Sequence, residues 1–219
     1  MISAGNDVVA LAAIDIRRSN TLAFYSKFTL VPELSVYDEP GFKRMPFHVF
    51  TWMLWSVKES AYKYFKRLDT KLIFSPTRII VQDIAAPKAN NNVTTDIWES
   101  DAQDEGFYHG KVTFGEKTLY FRSKITDQFI ATVVNDKANF ENVYWGVKYI
   151  NDTKHAEQSA AVRFFALNKL KTVSKKESLQ IGKKSAGIPI IINDGEVTGI
   201  PVSLAHHGHF VSYSLLVTP

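Results

Sequence analysis

His48-Val49-Phe50-Thr51-Trp52-Met53-Leu54-Trp55-Ser56-Val57-Lys58-Glu59-Ser60-Ala61-Tyr62-Lys63-Tyr64-Phe65-Lys66-Arg67-Leu68 reads as one helix. Phe50, Leu54, Val57, Ala61, Tyr64 and Leu68 recur at spacings of three and four, which predicts an apolar stripe turned toward a core. At roughly 100° per residue, Trp52, Trp55, Glu59 and Lys63 fall on the other side. Two tryptophans there call for cover on that side too, so Glu59 and Lys63 are expected at the rim of an interface.

Upstream, Gly5 to Ile16 is apolar with Asp7 and Asp15 embedded, and Val8, Val9 and Leu11 predict a buried strand. Residues 17–47 predict short helices and loop, with a turn at Asp38-Glu39-Pro40-Gly41. Downstream, Thr77–Ile84 predicts a strand. The polar stretch 85–106 predicts a loop, and it contains the Asn92-Val93-Thr94 sequon. Lys111–Phe114, Thr118–Lys124 and Gln128–Val134 predict a meander. A strand over Val143–Ile150 and a helix over His155–Lys171, capped by Asp152 or Thr153, follow. The last strands are expected at Ser178–Ile181, Ile188–Ile192, Glu196–Leu204 and Phe210–Val217, the middle pair joined at Asn193-Asp194-Gly195.

The order repeats itself. Phe121–Val133 and Val202–Ser214 share a register, with Phe129 at the position of Phe210. We therefore expect an α+β fold of two similar halves related by a pseudo-twofold, 1–135 and 136–219. Each half is a helix packed on a small, mostly antiparallel sheet. The cleft between such halves is a natural ligand site.

An apolar fraction of 45% across 219 residues is ample for such a core. The absence of cysteine excludes disulfides, thiolate nucleophiles and Cys-ligated zinc, and fits a cytoplasmic protein. The opening Met1-Ile2-Ser3-Ala4-Gly5-Asn6-Asp7 carries no cationic leader, and no apolar run reaches the length of a membrane span, so neither a signal peptide nor a membrane partner is expected. A net charge of +4 is by itself that of ordinary surface lysines, although it would also favour an acidic partner or a phosphorylated ligand; it is a weak footprint for nucleic acid, and no nucleic-acid-binding motif appears. No Gly-x-Ser-x-Gly elbow or glycine-rich phosphate loop is present.

Asp7, Glu59 and Lys63 are the candidates for chemistry. Glu59 and Lys63, four apart on a helix, can be a plain ion pair worth about 0.2–0.5 kcal/mol. If Asp7 joins them, two carboxylates can hold one Mg²⁺ together with phosphate oxygens, and the lysine can neutralise phosphate. Ser203-Leu204-Ala205-His206-His207-Gly208-His209 has three histidines in four positions. His206 and His207 would point to opposite faces of a strand, which argues against zinc. His206 is left to meet a phosphate or adenine edge, or to be a polar turn residue.

Three motifs in this order resemble the 4′-phosphopantetheinyl transferase superfamily (holo-acyl-carrier-protein synthase-like): Gly5-Asn6-Asp7, the uninterrupted Trp55-to-Lys63 lysine-glutamate helix, and Val202-Ser203-Leu204-Ala205-His206 before an apolar strand. The resemblance implies Mg²⁺-dependent transfer of the phosphopantetheine arm of coenzyme A to a serine of an acyl- or peptidyl-carrier protein. It assigns the metal to Asp7 and Glu59, catalysis to Glu59 and Lys63, and coenzyme A contacts to Lys58, Lys63, Ser203 and His206. A monomer suffices, because both sides of the cleft lie on one chain, and Arg17-Arg18 is the expected basic rim for the carrier. The alternative is a non-catalytic module of the same fold that binds coenzyme A or a carrier protein. Val9 stands where members of the family often have a second acid, and Tyr64-Phe65-Lys66-Arg67 replaces a small, glycine-rich continuation.

Overall fold

The computed structural model describes residues 3–88, 96–100, 106–184 and 187–217. The Asn92-Val93-Thr94 sequon lies outside them. The predicted long helix is present as α4 (Phe47–Leu68), and the strand before it as β1 (Gly5–Ala10). Between them lie the short helices α1 (Ile16–Ser19), α2 (Leu22–Tyr25) and α3 (Val31–Ser35).

A first sheet runs β1-β6-β5-β4-β2, with β2 (Ile79–Ala85), β4 (Tyr108–Phe114), β5 (Lys117–Ile125) and β6 (Phe129–Asn135), and every neighbouring pair is antiparallel. A second runs β11-β12-β7-β3, with β3 (Ile97–Glu99), β7 (Val143–Tyr149), β11 (Val202–His207) and β12 (Phe210–Leu216), also antiparallel throughout. The remaining strands, β8 (Leu179–Lys183), β9 (Pro189–Asn193) and β10 (Glu196–Val197), form a small third sheet. The turn joining β9 to β10 places Asp194 and Gly195 at φ of 49° and 84°, as a two-residue hairpin loop requires. The second long helix, α5 (His155–Ser174), starts after Lys154 rather than at a capping Asp152 or Thr153 side chain; Asp152 instead accepts the Lys154 N–H.

Strand alternation sorts the apolar residues into three cores. Val9, Ile130 and Val134 meet Phe50, Leu54, Val57 and Ala61 of α4. Their neighbours Val8, Ala131 and Val133 face the second sheet and join Trp98, Trp145, Val147, Ala205 and Phe210. On the far side, Val162, Phe165 and Leu170 of α5 pack on Val202, Val211 and Leu215. The layers are therefore helix, sheet, sheet, helix, a mixed α+β architecture. β6 is buried along its whole length, Thr132 included, because it faces α4 on one side and the second sheet on the other.

The two sheets share a register. Ile125 lies opposite Ile130 and His206 opposite Val211, each partner 81 positions on (206 − 125 = 211 − 130 = 81). Phe129 and Phe210, matched by the same offset, touch across the intersheet core with ring centroids 5.2 Å apart. Among the described residues one strand ladder crosses the division at residue 135: β3 belongs to the earlier segment but pairs with β7.

Candidate active site

β1 and β11 are the edge strands of the two sheets, and they meet at a seam. No backbone ladder joins them. Side chains from β11 and β12 accept from β1 instead: the Asn6 N–H donates to Ser203 Oγ (3.2 Å), the Asn6 Nδ2 amide to Ser212 Oγ (2.9 Å), and the Ala10 N–H to His207 Nδ1 (2.9 Å). With Nδ1 accepting, neutral His207 carries its proton on Nε2.

α4 lies directly on β1 because Gly5 has no side chain. A Cβ at that position would strike the Ser60 carbonyl oxygen and sit 2.9 Å from the Tyr64 nitrogen. This close approach sets Glu59 and Lys63 beside Asp7, two residues further along the strand on the same face. Lys63 Nζ is 3.0 Å from Asp7 Oδ1 and 3.5 Å from Glu59 Oε1. Asp7 is 6% exposed and the Glu59 side chain 30%, so the group is shielded but reachable. Burial, and then the Asp7 charge, push the Glu59 carboxyl above the usual range, with Lys63 and the Trp55 side chain offsetting part of the rise. Burial pulls the Lys63 ammonium down, but its two carboxylates outweigh this and raise it.

The tryptophan side of α4 is covered, as its composition requires. Trp52 donates from Nε1 to Ser19 Oγ of α1 (2.9 Å), and Trp55 packs edge-on against Phe28 and Phe74. Arg17 and Arg18 of α1 are exposed and precede the Ser19 that anchors Trp52.

The second half supplies Ser203, which is buried and lines a cavity of about 240 Å³ with Tyr62, Lys63, Lys66, Arg67 and Pro189. His206 projects from the opposite face of β11, exposed, its ring 5.2 Å from that of His155 at the start of α5. Burial, then the neighbouring His155 and Lys63, lower its pKa. Asp7, Glu59, Lys63 and Ser203 are brought together, with His206 at the margin.

Lys58 is not brought there. It is fully buried on the other flank of α4, paired with Glu33 of α3 at 2.7 Å, and donates to the Pro76 and Ile79 carbonyls. A lysine so enclosed has no donor left to reach a coenzyme. Ser212 carries no signal in the sequence, and Asn6 and His207, named above only within motifs, have a spacing that does not mark the seam between two edge strands.

Among the described residues no three His, Asp or Glu side chains gather as metal ligands, and no helix is long and apolar enough to cross a membrane. A cavity of about 1000 Å³ near the N-terminal end of α4 contains none of the predicted site residues. No protein-family model, curated protein or solved structure matches the chain.

Proposed function

We propose that this protein transfers the 4′-phosphopantetheine arm of coenzyme A to a serine hydroxyl of an apo acyl- or peptidyl-carrier protein. The observation that carries the reading is the meeting of Asp7, Glu59 and Lys63 at the seam between β1 and β11. The common strand orders β1-β6-β5 and β7-β12-β11, with their shared register, support two halves related by a pseudo-twofold and a cleft between them.

Asp7 and Glu59 would hold Mg²⁺. The fit is electrostatic: Glu59 is pushed up by burial and by the Asp7 charge, a crowding that a divalent cation relieves. Two carboxylates, with phosphate oxygens and water, are what Mg²⁺ accepts. When bound, the ion supplies charge neutralisation to the diphosphate. Lys63 neutralises charge on the departing adenosine 3′,5′-bisphosphate. The serine oxygen bonds to the phosphorus that carries the pantetheine arm, the phosphoanhydride bond breaks, and the hydroxyl proton passes to Glu59, directly or through a water. Positioning and charge neutralisation are the main demands of such a transfer. The reading puts the reaction in the cytoplasm, where the exposed Arg17 and Arg18 would greet the acidic carrier.

The test is incubation with coenzyme A, Mg²⁺ and an apo-carrier protein, followed by mass spectrometry. Modification is expected to vanish with chelator, Asp7→Ala or Glu59→Ala. A second reading, a non-catalytic module binding coenzyme A or a carrier, draws on Val9. That side chain is buried in the α4 core and offers no third ligand. Tight coenzyme A binding without transfer would select it.

A further inference from the structure

Arg67 ends the same helix that carries Glu59 and Lys63. Its Nη1 donates to two main-chain carbonyls of the second half, Pro189 O and Val202 O, both at 2.8 Å. Two of five guanidinium hydrogens are thereby used, and the plane of the group is fixed across the cleft. The Nε hydrogen and both Nη2 hydrogens have no partner among the described residues, and no carboxylate there pairs with Arg67.

The side chain is half-buried and lines the cleft cavity beside Lys63, Lys66 and Ser203. The other two cations are already engaged. Lys63 is held by Asp7 and Glu59, and Lys66 donates to the Leu72 carbonyl at 2.7 Å. Burial lowers the Arg67 pKa, and no acid raises it in return. A partly desolvated charge without a counter-ion is costly, whereas a fixed guanidinium fork matches the oxygens of a phosphate.

We propose that Arg67 is a second anion-binding group of the cleft, holding a phosphate-type oxyanion of the ligand apart from the Asp7–Glu59–Lys63 group. Only the identity of the ligand rests on the transferase reading. The residue belongs to Tyr64-Phe65-Lys66-Arg67, where this chain departs from the family it resembles, so the role is not carried over from that family.

Calorimetric titration with inorganic pyrophosphate, coenzyme A and 3′-dephospho-coenzyme A tests it on the wild type, Arg67→Met, Arg67→Lys and Ile188→Glu. Ile188 lines the same cavity, so a glutamate there offers Arg67 an internal carboxylate and leaves its two carbonyl bonds in place. Saturable pyrophosphate binding by the wild type is expected. It should weaken about tenfold or more in Arg67→Met and Ile188→Glu, and less in Arg67→Lys. Coenzyme A weakened with its dephospho form unchanged assigns the 3′-phosphate as the oxyanion; both weakened assigns the diphosphate. A wild type that binds none of the three, or variants that melt earlier yet bind as the wild type does, overturn the proposal and leave Arg67 a strap between carbonyls. Intact Arg67-dependent pyrophosphate binding without carrier modification overturns the transferase reading alone.

Discussion

Gly5 and Tyr64 are in backbone contact: a Cβ on the glycine would come within 2.9 Å of the Tyr64 nitrogen. That contact lets a strand and a helix separated by about forty residues share one charged cluster. Gly5→Ala should push α4 off β1, at a cost of about 1–3 kcal/mol in urea unfolding. Activity should fall further than stability, because Glu59 and Lys63 move away from Asp7. A variant as active and as stable as the wild type would mean that the approach is not needed.

Lys58 and Glu33 form a buried pair whose remaining bonds go to main chain. Glu33 accepts from the Leu30 and Val81 N–H groups, both at 2.8 Å. Lys58→Met should cost about 3–5 kcal/mol, since it strands a buried carboxylate, and Lys58→Met/Glu33→Gln should recover part of that. Coenzyme A affinity of the folded fraction, measured at low temperature, should not change. A selective loss of affinity would return Lys58 to the binding site.

The Glu59 carboxyl is raised, so the folded state holds its proton more tightly than the unfolded chain does. Its contribution to stability is therefore full below the ordinary value of 4.5 and declines as pH rises through the raised folded value. Glu59→Gln should remove this decline and melt at or above the wild-type temperature at neutral pH, while transfer and Mg²⁺ binding are lost. Melting curves from pH 4 upward check it. A variant less stable than the wild type at neutral pH would show that the charged form is favoured in the fold.

His207 titrates with the opposite slope. Burial lowers its pKa from 6.5, against the pull of Glu59, and the unfolded chain takes up the proton first. Stability is full above 6.5 and is lost as pH falls toward the lowered folded value. Protonation also places a hydrogen on Nδ1 facing the Ala10 N–H, so the seam loses a bond. The titratable groups that interact with His207 are Glu59 of α4 and His206 of β11. His207→Phe should flatten the acid side of the stability profile and lower the plateau by about 1 kcal/mol. An unchanged slope would assign the acid transition to another group.

Much of this arrangement is legible in the chain. The spacing of Phe50, Leu54, Val57 and Ala61 gives α4 its inner face, and the meander strand expected at Gln128–Val134 is present as β6. Lys58 shows the limit. It is five residues before Lys63, which turns it about 140° around the helix. Which lysine meets carboxylates in a cleft, and which meets one in a core, depends on where α3 places Glu33, and that segment carries no signature. β3 was equally hidden, because only Trp98 of its three residues is buried and its strand character comes from pairing with β7. The cap of α5 failed for a related reason, since Asp152 satisfies a loop N–H instead of a helical one.

β3 also has a bearing on how the protein can be taken apart. Glu99 accepts from the Tyr213 hydroxyl and pairs with Lys169 at 3.0 Å, while Trp98 stacks edge-on against Trp145. A stretch of the leading segment is thus stitched into the trailing one. Severing the chain at the apparent midpoint would strip β7 of its outer neighbour and leave an open edge prone to self-association.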